Sequence, residues 1–255
     1  MAEEQKTGLF GLKIRPVQTQ EELDALLNPK SKEEQISRGN FNLDKVYGPG
    51  AYADVGKEIE KDGLLKPTMA ETASLVYDSF FDKIDKEYSN KIKKIMEDKW
   101  LGAFTGILYI PNKGAYIQDD PEIRNSRAYM KESDLVKKLQ RNDKSARFVP
   151  FGYKIGYMTP KELEKNEFII GLAGIEGAEK LAEVAGKAAG KYKDNPYLGS
   201  FKSIDKPEVR FSAVGSSLDG GDYRLLVDGN NYDVGGYYCS CGVRKKTGGA
   251  GCAEK

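Results

Sequence analysis

Three cysteines, Cys239, Cys241 and Cys252, are the only thiols in 255 residues, and all lie in the last seventeen. Cys-Ser-Cys at 239–241 stands beside paired tyrosines and a basic run, in "DVGGYYCSCGVRKK". Thiolates this close could bind a soft metal, exchange electrons or attack an electrophile. A structural zinc site of thiolates wants four ligands in spaced pairs, and here the fourth is missing. A disulfide across one intervening residue would be strained. The chain has no histidine at all, which removes the commonest general base, imidazole ligands and every Ser-His-Asp or Cys-His arrangement. Any enzyme here would have to run on carboxylates, lysine, tyrosine or thiolate.

Two other stretches invite a ligand. "GKAAGK" fails as a phosphate loop, because its spacing is wrong, no Ser or Thr follows Lys191, and it lies within a helical pattern. "DGNNYD" fails as an EF-hand loop, lacking the sixth-position Gly and the closing Glu. No cofactor is expected, with calcium binding through a loop of another kind left as the alternative.

The elements that would position these residues divide the chain in three. "TQEELDALL" carries Thr19 and Glu22 at capping-box spacing and reads as a short helix, and "NFNLDKVYGPGAYADVGK" reads as an ordered loop. Pro67, Thr68 and Glu71 open a long or broken helix to about residue 98, with apolar positions Leu75, Val76, Phe80, Ile84, Ile92 and Ile95 at helical spacing. "LGAFTGILYIPNKGAYIQDD" is a hairpin around Pro-Asn-Lys-Gly. "ESDLVKKLQRND" is a short capped helix and "ARFVPFGYKIGYM" a strand. Thr159, Pro160 and Glu162 start a second helical region whose Gly174, Gly177, Ala178, Ala182, Ala185 and Ala189 form a small-residue face for close packing. Short strands follow in "EVRFSAV", "YRLLVDG" and "YYCSCGVR". The class is α+β, with an N-terminal arm and helical region over 1–97, a domain over 98–246 and a flexible tail over 247–255.

Composition narrows the partners. Forty basic against 39 acidic residues leave a net charge of +1, so no global field draws the chain to nucleic acid or to an anionic membrane. The start is acidic where a signal peptide is basic, and no window is apolar enough to span a bilayer. A cytoplasmic location, or a particle assembled there, is expected.

One window is anomalous. Residues 211–244 contain no Lys, Glu, Gln, Met or Trp, although those types supply 64 of the other 221 residues. By composition alone about ten should fall there. A turn-rich β segment is poor in Lys and Glu, which accounts for part of the deficit. Arginine nevertheless survives where lysine vanishes. Codons of the form adenine-adenine-pyrimidine, randomised at their adenines, can never yield those five types. His, Pro, Ile and Thr are reachable from such codons and are also absent.

On these residues the sequence resembles the variable proteins of diversity-generating retroelements, in which a reverse transcriptase rewrites the 3′ end of a target gene. The resemblance implies a C-type-lectin-like fold related to formylglycine-generating enzymes, with short antiparallel strands, flanking helices and a helical N-terminal region. Its diversified segment closes on a Gly-Val-Arg strand, matched here by Gly242, Val243 and Arg244. Cys241 stands where an aromatic is usual. "LYIPNKGAYIQDDPEIRNSRAYM", "SARFVPFGYKIGYM" and "IIGLAGIEGAEKLAEVA" are similar to the scaffold of microbial members. The implied function is a hypervariable binding protein for an unknown protein or glycan, with no catalysis. Its ligand surface is expected at Tyr223, Asp228, Asn230, Asn231, Tyr232, Asp233, Tyr237, Tyr238 and Cys239, with Arg224, Leu225, Leu226 and Val227 holding the scaffold. The competing expectation is an oxidase using Cys239 or Cys241 as thiolate or copper ligand.

Overall fold

A computed structural model describes residues 41–124, 127–187, 192, 194–219, 222–231 and 236–245. The helix expected at Thr19 and the tail from 247 lie outside them. Among the described residues the fold is mixed α+β, with six helices around a nine-stranded sheet and a separate two-stranded ribbon. No helix among them is long and apolar enough to cross a membrane.

The segment read from sequence as a loop is instead the strand β1 (Phe41–Gly50) followed by helix α1 (Tyr52–Lys61). Gly, Asn and Pro hid the strand, yet β1 gains a partner from the far end of the chain: it pairs antiparallel with β11 (Tyr238–Val243). The long helix is broken, as α2 (Met69–Phe80) and α3 (Lys86–Asp98). Thr68 and Glu71 close the predicted capping box, each satisfying a backbone N–H of the other's residue. Trp100–Ile110 (β2) and Gly114–Asp119 (β3) form the predicted hairpin. The ribbon β4 (Ile123–Arg124) and β5 (Arg127–Ala128) leads to α4 (Glu132–Gln140), whose N-cap is Lys131 with no side-chain cap bond. The strand expected from Ala146 is two short pieces, β6 (Ala146–Pro150) and β7 (Gly156–Tyr157).

Thr159 and Glu162 form the second capping box, opening α5 (Pro160–Glu164). The next helix, α6 (Glu167–Lys187), kinks at Gly174, where φ is 73°. Of the small-residue face, Gly177, Ala178, Ala182 and Ala185 pack inward, whereas Gly174 has open space where a Cβ would lie and Ala189 is outside the described residues. A Cβ built on Gly177 would lie 3.6 Å from that of Ala73 and 3.7 Å from the Ala70 Cα, so α2 and α6 approach backbone to backbone. After β8 (Tyr197–Gly199), strands β9 (Glu208–Asp219) and β10 (Asp222–Asn231) form a long antiparallel pair.

The sheet order is β1-β11-β2-β9-β10-β8-β7, with β3 and β6 added beside the second half of β2. β11 runs parallel to β2, and β8 parallel to β10, so the sheet is mixed and holds strands of up to twelve residues where short antiparallel ones were expected. Elements from before residue 98 and after it therefore share one sheet. Along the row Leu101, Val214, Val227 and Leu198, every side chain enters the main core with α2, α3 and α6. A second cluster under α1 gathers Tyr47, Tyr52, Phe104, Phe211 and Tyr238, and a third packs α4 on β2, β3 and β6.

Candidate functional site

Strand alternation sets which residues of the anomalous window meet solvent. Leu225 and Val227 are fully buried in the main core, as expected of scaffold positions. Leu226 lies between them and points the other way, opposite Gly215 on β9 and Tyr197 on β8. Tyr157 pairs with that Tyr197 in turn. One step before the Leu101–Val214 pair, Trp100 begins β2 while β9 runs on past it. The step leaves an open pocket of about 200 Å³, lined by Glu97, Asp98, Lys99, Trp100, Gly215, Ser216, Leu226 and Tyr237. Four of these residues come from 211–244 and four from the turn joining α3 to β2.

Contacts hold the walls in place. A Cβ on Gly215 would come within 3.0 Å of the Trp100 ring, so the glycine lets the indole lie against β9. The Ser216 hydroxyl is bonded to the Tyr192 hydroxyl at 2.6 Å. Tyr237 is 57% exposed, with the Lys99 ammonium 4.6 Å from its ring centre. Behind the rim, Lys94 bonds to Asp98, which raises the lysine's pKa. Further along the same sheet row, the exposed Tyr157 and Tyr197 meet edge to face at 5.0 Å. The Arg224 guanidinium lies over Tyr157 and donates to Asp194 at 3.0 Å.

The expected ligand residues do not form one surface. Tyr237 lines the pocket, and Tyr223 is half-buried against the main core. Asp228, Asn230 and Asn231 sit at the other end of β10. There the Asp228 carboxylate accepts the Asn230 N–H at 2.8 Å, and Arg210 donates to the Asn230 side chain at 3.1 Å. Burial pushes the Asp228 carboxyl up to about 6. The Asn231 amide nitrogen is buried and has no hydrogen-bond partner among the described residues. Tyr232 and Asp233 lie outside the described residues.

Tyr238 and Cys239 are corrections. Tyr238 is 1% exposed, its ring lying over Gly102 and its hydroxyl donating to the Ala103 carbonyl at 2.6 Å. Cys239 is 3% exposed. Both belong to β11, a strand buried along its whole length between β1 and β2, so neither side chain reaches a ligand at the surface. Burial raises the Cys239 thiol and pushes Cys241 up to about 12, the reverse of what a reactive thiolate needs. Among the described residues no three His, Cys, Asp or Glu side chains converge as metal ligands would.

Sequence reasoning missed Trp100, Lys99, Glu97 and Asp98, because they precede the anomalous window by more than a hundred residues. It also placed Leu226 in the scaffold. The alternation in "RLLV" was the available signal, since Leu225 and Leu226 cannot face the same side of a strand. Comparison with protein-family models, curated proteins and solved structures finds no match for this chain.

Proposed function

We propose that this chain is a ligand-binding display protein: a C-type-lectin-like domain whose segment 211–244 is rewritten by adenine-directed mutagenic retrohoming, and which catalyses nothing. One coincidence carries the reading. The segment singled out by composition supplies Gly215, Ser216, Leu226 and Tyr237 to an open pocket, against a constant wall at Glu97–Trp100. Tyrosine, serine, glycine and arginine around it are the residue types that adaptable binding surfaces use, since they offer large amphipathic contacts at low entropic cost. The buried members of the segment, Leu225, Val227, Tyr238 and Val243, supply the framework that lets the exposed ones change. The oxidase alternative is disfavoured by the burial and raised pKa of Cys239 and Cys241.

The test is to sequence codons 200–250 of this gene from many individuals of one population. Substitutions should crowd into 211–244, fall at template adenines, include positions 215, 216, 226 and 237, and spare Leu225, Val227, Gly242 and Arg244. An invariant segment with Cys239 and Cys241 fixed would overturn the proposal.

A further inference from the structure

Apart from Lys99, the charged groups lining the pocket at Trp100 are acidic. Its wall is the C-terminal end of α3, where unpaired carbonyls give the helix a partial negative charge. The last turn adds the carboxylates of Glu97 and Asp98 and carries no basic residue. The Met96 carbonyl oxygen of that turn stands 3.7 Å from the position a Gly215 Cβ would take, so backbone oxygen also reaches the pocket. The lining also includes the indole of Trp100 and the phenol of Tyr237, and aromatic rings attract cations over their faces. Two cations of the chain already answer this potential. Lys94, one turn back, lies 3.2 Å from Asp98 and 4.0 Å from Glu97, and the Lys99 ammonium sits over the Tyr237 ring. Lys94 is tied to the helix surface. Lys99 lines the pocket, and its ammonium is carried on a long, flexible stem.

We infer that this pocket receives an organic cation, an ammonium or guanidinium group, and that Lys99 is the internal placeholder which the incoming group displaces. At about 200 Å³ the space is smaller than a pocket for a whole drug-sized molecule, roughly 300 Å³ or more. It fits a single cationic group projecting from a larger partner. The inference deepens the binding reading above by giving the ligand a chemistry. Constant residues Glu97, Asp98, Lys99 and Trp100 set the charge preference, while positions 215, 216, 226 and 237 tune shape around it.

Trp100 is the only tryptophan of the chain, so intrinsic fluorescence reports the pocket directly. The full chain is titrated at constant ionic strength with choline chloride and with its neutral isostere 3,3-dimethylbutan-1-ol. Choline should give a saturable change and the isostere none. Tyr237→Leu should abolish the change, and Asp98→Asn should weaken it by about threefold or more, the scale of one exposed cation contact. Lys99→Met should tighten choline binding by a similar factor, because the placeholder is gone. Equal responses to choline and the isostere, no saturation in either the parent or the Lys99→Met chain, or saturation that survives Tyr237→Leu would overturn the inference. The two readings fail separately. Invariant codons at 211–244 with choline binding intact remove diversification and leave the cation pocket standing, whereas diversified codons without choline binding do the reverse.

Discussion

Tyr237 and Tyr238 are adjacent and identical in type, yet strand alternation gives them opposite roles. Tyr237 stands in solvent against Lys99, and Tyr238 fills the space over Gly102. Tyr237→Ala should leave stability within about 0.5 kcal/mol, as for a surface position. Tyr238→Ala should cost about 3–5 kcal/mol through the cavity it leaves, and urea denaturation of the two variants checks both values. Asp228 offers a test in pH. Its folded value of about 6 lies above the ordinary carboxyl value of about 4, so the folded state holds the proton more tightly. Stability therefore falls as pH rises from about 4 through about 6, and the loss above that is about 2–3 kcal/mol. Asp228→Asn keeps an oxygen for the Asn230 N–H and never ionises. Its melting temperature should exceed the parent's at pH 7.5, with the gap closing toward pH 4.

Among the elements, those with local signatures were legible in the sequence. Thr68 and Thr159 announced their helices through a glutamate three residues on, and "LYIPNKGAYI" announced its hairpin by apolar runs around a turn. Elements whose reason is distant were not. β1 is rich in Gly, Asn and Pro and becomes a strand because β11, some two hundred residues away, offers it a ladder. The candidate site shared this limit: the window at 211–244 was visible in composition, but the facing residues Glu97–Trp100 join it only through sheet register. The closest approach between elements predicts a sharp failure. A Cβ on Gly102 would lie 1.8 Å from the Tyr238 ring. Gly102→Ala should therefore destabilise more than Gly177→Ala, whose worst contact is 2.7 Å, to the Ala173 Cβ one turn back in its own helix, and parallel thermal melts compare them.

For the whole molecule, the decisive fact is that its terminal described strand is an interior one. β11 separates β1 from β2 and contributes Tyr238 to the cluster under α1 and Cys241 to the main core. A chain ending at residue 236 should lose cooperative unfolding altogether, checked by near-ultraviolet circular dichroism and a thermal melt. A chain ending at residue 245 should keep it. Contacts between strands so far apart in sequence also place this fold among slow folders, since loop closure must precede the stabilising contacts.

The position of β11 also ties folding to translation. A ribosome delivers β1, the helices and β2 first, and the sheet cannot be completed until codons 238–243 have been read. Under the diversification proposed above, rewriting of 211–244 would reach β9, β10 and β11, and β11 is the strand whose arrival completes the sheet. A draw that breaks β11 would then yield a chain that does not finish folding, so variants would be filtered for foldability before any ligand is met.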